Sequence, residues 1–251
     1  MIKIENTEVM GWEHAIRGMR NPMNSWEKGD SRFYEDADFD PMDYPCGFKL
    51  GDGDYFLMTR LRNAGTDHRK FMRMITVYLD ITAPLYWWKE MDQYRVGQTT
   101  NSCSTMHKIT AKEFEIDDFS YEHLICSPEM GADEIDIRIS PMQALLTTIV
   151  CLNGYRNVYL KAKENGADGF TLKRYWWQMI QLLPSSYNQR RTVMLNYEVL
   201  ANIYKSRKNH KLDEWHALCD WIEKLPYSEL ITGRVLGVDL AHGEDFTGVA
   251  K

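Results

Sequence analysis

The chain has 251 residues, of which 44% are hydrophobic and 26% are charged, a composition typical of a globular protein with a sizeable core. This composition excludes collagen, a largely disordered chain and a disulfide-stapled miniprotein. The net charge of -6 argues against a binder of nucleic acid polymers or of anionic membranes, but it leaves room for a local basic pocket. The 8 Trp, 14 Tyr and 14 Met give the chain a large supply of aromatic and of flexible, polarizable side chains.

Cysteine usage and apolar runs bear on the compartment. The five cysteines include no C-x-x-C pair and their number is odd, which favours free thiols in a reducing compartment. The N-terminus lacks the apolar run of a signal peptide, and apolar stretches such as 141–152 are too short to cross a bilayer. We therefore expect a cytoplasmic protein without a membrane segment.

The first half of the chain predicts a mixture of strands and helices. Residues 1–20 predict a short strand followed by an amphipathic helix, and residues 54–65 predict a helix that ends at a glycine. The β-branched and aromatic run 71–79 predicts a strand. Helical spacing of apolar residues predicts a helix over 85–95, and the hydroxyl-rich residues 97–109 predict a loop or short extended segment.

The second half predicts mainly helices. The alternating residues 134–139 predict a strand, and the proline at position 141 opens a helix that we place over 141–167. Three more helices follow, over 174–183, 193–205 and 213–225.

This order of elements predicts an α+β fold. We expect a single domain over 1–230 that contains a mixed or antiparallel sheet and several long helices. Residues 231–251 differ in character, because an apolar run is followed by a Gly/Asp-rich turn, and we interpret them as a C-terminal strand or tail of unknown role.

Several familiar catalytic motifs are absent from the sequence. It contains no phosphate-loop motif, no dinucleotide-binding glycine pattern, no H-E-x-x-H and no G-x-S-x-G. The seven histidines are scattered, so we expect no metal site.

Residues 87–107 form the first segment with chemical interest. Charged and amide side chains end an apolar helix there: Lys89, Glu90, Gln93 and Arg95. A dense hydroxyl and amide stretch follows at once, and such donors at a helix boundary can hold a phosphate or the polar edge of a heterocycle. The alternative is a capped helix followed by an ordinary polar loop.

Residues 195–215 form the second such segment. Asn196, Asn202 and Arg207 follow each other at intervals of six and five residues, so the two asparagines share roughly one face of the predicted helix. Asparagine inside a helix is unfavourable unless it makes a hydrogen bond, which points to a polar ligand along this face. The alternative is a solvated helix face.

Taken together, these segments resemble the flavin-dependent thymidylate synthase (ThyX) family. His68 stands where the family has the histidine of G-H-x-S-P, and Ala83 and Pro84 match its Ala-Pro in register. Residues 88–90 stand at its Trp-Arg-Gln, and residues 93–95 replace its Arg-His-Arg, of which only the last arginine is kept. The resemblance covers about residues 1–225 in the order of elements.

The resemblance also implies roles for individual residues. It implies cofactor contacts from His68, Arg95, Asn101, Asn196 and Asn202. It implies substrate contacts from Glu90, Gln93, Ser102, Ser104 and Arg207. No catalytic residue is identified, and a nucleophilic role for Cys103 is not favoured because the family uses none.

Three positions depart from the family pattern. Met106 and Ile180 stand where the family has arginines, and Ser102 stands where it has a glutamate. Each lost arginine removes charge-assisted hydrogen bonds of about 1.5–3 kcal/mol. Other cations would have to compensate, with Arg174, Lys173 and Lys89 as candidates, or else the ligand is not a standard dUMP.

The resemblance implies a homotetramer that binds FAD across subunits, is reduced by NADPH and transfers a one-carbon unit from methylenetetrahydrofolate to deoxyuridylate. Two alternatives remain open. One is a divergent enzyme that adds another group, such as hydroxymethyl, or acts on a modified nucleotide. The other is a non-catalytic oligomer that keeps the fold. We further hypothesise that the Trp87–Trp88 and Trp176–Trp177 pairs wall a flavin or pyrimidine site.

Overall fold

The structure is a computed structural model that describes residues 2–33, 47–127 and 139–233. Cys46, most of the predicted strand at 134–139 and the tail from residue 234 lie outside the described residues. The division into 1–230 and 231–251 therefore stays a prediction. No helix in the described ranges combines the length and the hydrophobicity needed to cross a membrane.

Strands and helices are interspersed along the described chain. The strands are β1 (Lys3–Met10), β2 (Arg32–Phe33), β3 (Phe48–Lys49), β4 (Thr76–Pro84), β5 (Thr99–Ser102) and β6 (Asn188–Asn196). The helices are α1 (Trp12–Arg20), α2 (Asp52–Asn63), α3 (Leu85–Met91), α4 (Thr105–Lys108), α5 (Pro141–Glu164), α6 (Gly169–Leu182), α7 (Tyr197–Arg207), α8 (Asp213–Ile222) and α9 (Glu229–Thr232).

An antiparallel sheet organises these elements. Within the described ranges its strand order is β1-β4-β6-β5, and β2 and β3 form a separate small ribbon. Alternate residues of the central strands, including Val77, Leu79 and Val193, are fully buried on one face. The intervening residues, including Asp80 and Thr192, lie on the other face, which is partly open. The α+β prediction with an antiparallel sheet is confirmed.

Two hydrophobic cores stabilise the chain. The main core packs the sheet against α1, α3, α7 and α8, and it includes the fully buried Trp87 and Trp215. A second core lies between α5, α6 and the residues that precede them, and its buried members are Ile109, Phe114, Phe119, Leu145, Ile149, Leu152 and Met179.

One predicted element is wrong in type. The helix predicted over 193–205 is the end of strand β6 followed by helix α7, with the junction at Asn196. The backbone of Asn196 is extended, and its side-chain oxygen accepts a hydrogen bond from the Val199 N–H at 3.0 Å, so Asn196 is the N-cap of α7. Long-range pairing with β4 holds residues 188–196 extended.

Other predicted elements needed smaller corrections. The strand predicted from residue 71 begins only at Thr76, because Arg69–Arg73 form a 3-10 turn. The predicted loop at 97–109 contains strand β5 and the short helix α4. The helices predicted near 12–20, 54–65, 141–167, 174–183 and 213–225 are present with shifted ends.

Candidate functional site

The β6–α7 junction brings two predicted cofactor contacts near each other. Asn196 caps α7, and a Cβ placed on Gly97 would lie only 2.9 Å from its Nδ2 atom. Gly97 also has a φ of 77°, a conformation that favours glycine. The loop that carries the exposed Arg95 therefore packs directly on Asn196.

Asn202 lies one and a half turns further along α7 and has a cationic partner. Its Oδ1 accepts a hydrogen bond from Arg69 Nη2 at 3.1 Å. Arg69 Nε lies 3.5 Å from an oxygen of Glu198, and Arg73 pairs with the same carboxylate. The hydrogen bond and charge of Glu198 raise the pKa of the Arg73 guanidinium. The exposed His68 directly precedes this arginine turn.

A cavity of about 390 Å³ opens beside Asn202. We call it the cationic cavity because its described lining includes Arg62, Arg69, Lys205 and Lys208. Burial, and after it the charge of Arg69, lowers the pKa of Arg62, as expected where cations are crowded. Arg62 is held by the backbone carbonyls of Leu230 and Ile231. Such a concentration of positive charge suits an anionic ligand.

A second cluster forms around Glu90 and Arg207, which we call the Glu90–Arg207 pair. Arg207 Nη1 donates to Glu90 Oε2 at 2.7 Å, and Arg207 Nε donates to the Tyr94 hydroxyl at 2.9 Å. The guanidinium lies 4.6 Å from the ring centre of Trp215, whose Nε1 donates to the same glutamate oxygen at 3.0 Å. His210 Nε2 lies 3.4 Å from that oxygen. The cluster is thus a stacked and hydrogen-bonded ion pair.

The other predicted contacts lie on the sheet edge and its approach. Asn101 and Ser102 are exposed on β5, and Ser104 caps α4 by accepting a hydrogen bond from the His107 N–H at 3.2 Å. The Gln93 amide donates to a carbonyl of its own turn. No hydrogen bond between described residues joins these side chains to Asn202 or Arg207.

The missing arginines are not replaced at their own positions. Met106 is half exposed, and Ile180 packs against the second core. A cation that the sequence analysis missed, Arg191, lies opposite Ser102 across the β5–β6 pairing. Its guanidinium covers Trp88 at 4.2 Å. Arg191 could not be identified from the sequence, because its position opposite Ser102 depends on strand β6. Residues 193–196 of that strand were predicted as helix.

The tryptophan hypothesis fails for the first pair. Trp87 and Trp88 are buried in the main core, and Trp88 Nε1 donates to the Gln189 carbonyl at 2.9 Å. Neither ring is therefore open to direct contact with a ligand, because the stacked Arg191 guanidinium lies over Trp88. In the second pair, Trp177 is 39% exposed and Trp176 donates to the backbone of the α4 region.

The open face of the sheet carries a charged network. Asp80 accepts hydrogen bonds from the Thr192 hydroxyl at 2.6 Å, from Arg190 at 2.7 Å and from the Asn6 amide at 2.8 Å. These bonds, led by that of Thr192, hold the pKa of Asp80 well below its usual range. Among the described residues, no group of three or more His, Cys, Asp or Glu side chains is arranged to hold a metal ion.

Comparisons with known proteins identify the fold. No family model and no curated protein sequence matches the chain. Thymidylate synthase X from Helicobacter pylori, solved with FAD and dUMP, superposes with a TM-score of 0.57 at 16% identity and covers 93% of this chain and 98% of its own. A second FAD and dUMP complex of that enzyme gives a TM-score of 0.58 at 16% identity over 92% and 98% of the two chains.

A third structure extends the comparison to another enzyme. The UMP/dUMP methylase PolB from Streptomyces cacaoi, bound with 5-Br dUMP, gives a TM-score of 0.54 at 12% identity and covers 93% of this chain and 95% of its own. The described chain therefore has the fold of thymidylate synthase X.

Proposed function

We propose that this protein is a flavin-dependent enzyme of the thymidylate synthase X kind. It transfers a one-carbon unit from methylenetetrahydrofolate to dUMP, with reducing equivalents from NADPH passing through FAD. The observation that carries the proposal is the cationic cavity, which lies beside Asn202 on this fold. Supporting it, two of the solved structures with the same fold contain FAD and dUMP.

We assign FAD to the cationic cavity and the adjoining β6–α7 junction. Two Arg and two Lys side chains line the cavity, and a diphosphate is the part of FAD that such cations bind. Asn202 and Asn196 offer amide groups for the neutral parts of the cofactor. His68 directly precedes the cavity residue Arg69, and Arg95 lies on the loop that packs on Asn196. Asn101 belongs to the proposed cofactor set from the adjacent sheet edge. FAD itself supplies the hydride chemistry when bound.

We assign the pyrimidine nucleotide to the region of the Glu90–Arg207 pair and strand β5. Glu90 and Arg207 are 34% and 20% exposed, so both can reach a ligand from solvent. Gln93, Ser102 and Ser104 add amide and hydroxyl groups. The protein's contribution is to orient the nucleotide and to supply hydrogen bonds, while the cofactors carry the redox step.

We further propose a homotetramer in which a neighbouring subunit completes the site. Its support is apolar surface on α5, where Leu146 and Val150 lie four residues apart on one helix face and are 46% and 72% exposed. Adjacent exposed apolar side chains form a patch that favours contact with another chain. A neighbouring subunit is also a source for the cations that Met106 and Ile180 do not provide.

A divergent reaction is the second candidate. The absence of arginine at positions 106 and 180 favours it, because a standard dUMP phosphate would lose two charge-assisted contacts there. Such an enzyme would act on a modified pyrimidine nucleotide or would add a different one-carbon group, such as hydroxymethyl. A non-catalytic flavin-binding oligomer is the remaining alternative.

Flavin and nucleotide binding test these proposals in order. The purified protein should show flavin absorbance, or FAD should raise its melting temperature. After reduction of the flavin by NADPH, addition of methylenetetrahydrofolate and dUMP should reoxidise it and yield a nucleotide in which a methyl group replaces one ring hydrogen. A protein that binds no FAD refutes every enzymatic version. Good FAD binding without dUMP-dependent oxidation refutes the first reaction and leaves the divergent enzyme and the non-catalytic flavin-binding oligomer, which a screen of modified pyrimidine nucleotides as oxidation triggers separates.

A further inference from the structure

Arg191 is a fixed cation at the edge of the main core. Its side chain leaves β6 on the same face as the buried Val193, but it is itself 14% exposed. The guanidinium stacks on Trp88 at 4.2 Å, Nε donates to Gln189 Oε1 at 3.0 Å, and Nη1 donates to Asp92 Oδ1 at 2.7 Å. Within the described residues, Nη2 makes no hydrogen bond. The guanidinium is thus held in one orientation and keeps one nitrogen for a ligand.

The segment from β5 to α4 lies next to this cation. Ser102 is exposed and is the cross-strand partner of Arg191, so the two side chains leave the same face of the sheet with Cβ atoms about 5 Å apart. Gln189 connects this segment to the guanidinium, because its amide nitrogen lies 3.1 Å from both the Cys103 carbonyl and the Thr105 hydroxyl. A fixed cation and an open hydroxyl therefore share one edge of the sheet.

The carboxylate that pairs with Arg191 occupies an unfavourable position. Asp92 is the C-cap residue of α3, and a negative charge is disfavoured at the C-terminal end of a helix. Its side chain is 45% exposed, so solvent can take over its hydration when it leaves the guanidinium. After Asp92 leaves, Nη1 and Nη2 together can bond two oxygens of one phosphate. The carboxylate thus stands where an anionic ligand would bind.

We infer that Arg191 is the phosphate-binding residue of the nucleotide site, with Ser102 as its hydroxyl partner and Asp92 as a stand-in that the phosphate displaces. The inference rests on the proposed function for the identity of the nucleotide, whereas the anion site itself does not. In this arrangement the chain has a cation of its own for the phosphate, although Met106 and Ile180 carry no charge.

Inorganic phosphate tests the anion site without flavin or nucleotide. The Trp88 ring lies under the guanidinium, so the NMR signal of its indole N–H in isotope-labelled protein reports a ligand at Arg191. We expect phosphate to shift this signal saturably in the wild type. Asp92→Asn removes the competing charge and should tighten phosphate binding about tenfold. Arg191→Met should abolish the shift.

Two further variants separate binding from folding. Arg190→Met is the matched control, because the adjacent arginine lies on the other face of the sheet and bonds to Asp80, and it should leave the phosphate affinity unchanged. If Arg191→Met does not fold, Arg191→Lys keeps the charge, loses the planar fork and should bind phosphate about tenfold more weakly. Equal phosphate binding by the wild type and D92N, or wild-type binding by folded R191M or R191K, overturns the inference.

A comparison of dUMP with deoxyuridine tests the assignment to the nucleotide site. Arg191→Met should weaken dUMP about tenfold or more in calorimetry and leave deoxyuridine unchanged, since only dUMP carries the phosphate. Equal weakening of both ligands, or unchanged binding of dUMP, overturns the assignment. A protein that keeps this contrast but binds no FAD contradicts the proposed function and supports the inference.

Discussion

Arg69 gives the sharpest test of the cationic cavity. It lines the cavity and donates to Asn202 at 3.1 Å, so Arg69→Met removes a cation and leaves the asparagine oxygen without this donor. Loss of one charge-assisted contact costs about 1.5–3 kcal/mol, which corresponds to roughly a ten- to a hundredfold increase in the dissociation constant of FAD. We expect this increase in a titration of the apoprotein with FAD.

The same substitution should leave the fold almost intact. The lost Arg69–Glu198 contact is long, at 3.5 Å, and Glu198 keeps Arg73 as its partner, so the substitution does not leave the carboxylate unpaired. Lys70→Met is the matched control, because Lys70 is the adjacent cation, is exposed and does not line the cavity. If both variants remain folded and bind FAD as the wild type does, the assignment of FAD to this cavity is wrong.

Three further predictions concern the junction, the sheet and the ion pair. Asn196→Ala should lower the free energy of unfolding by about 1 kcal/mol through loss of the α7 cap, measured by urea titration, while Asn196→Asp should retain most of it; equal losses would contradict the capping role. Because the folded-state pKa of Asp80 is lowered, its contribution to stability is present above a pH of about 4 and is lost as the pH falls below that value. Asp80→Asn should therefore flatten the loss of stability in acid, and an unchanged profile would contradict this. Arg207→Ala should weaken nucleotide binding by about 2 kcal/mol in calorimetry, and an unchanged dissociation constant would show that Arg207 does not touch the nucleotide.

Local patterns predicted much of the fold. The helix over Pro141–Glu164 was recognisable from its proline start and apolar spacing, and the α+β class followed from the order of elements. Strand β6 was missed at its C-terminal end because the apolar residues near 193–205 fit a helix as well as a strand followed by a helix. The deciding signal was the capping asparagine at position 196, which was interpreted as a ligand contact.

The candidate site was less predictable than the fold, because its parts meet only through tertiary structure. Asn202 and Arg207 were found through the family resemblance, but their partners Arg69 and Glu90 lie 133 and 117 residues away in the chain. Spacing along one segment gives no information about such pairs. The charge of Glu90 is visible in the sequence, whereas its ion pair with Arg207, at 2.7 Å, is visible only in the structure.

The second core has a mechanical consequence for the sheet edge. The α5–α6 pair holds the chain that follows β5 at two places. The Asn153 side chain makes hydrogen bonds to the backbone N–H and C=O of Phe114, and Trp176 Nε1 donates a hydrogen bond to the Met106 carbonyl. The hydroxyl-rich residues 101–105 therefore form a segment that links the helix pair to strand β6 of the main core. A tilt of the two helices would therefore displace this segment, and with it the groups proposed to face the nucleotide.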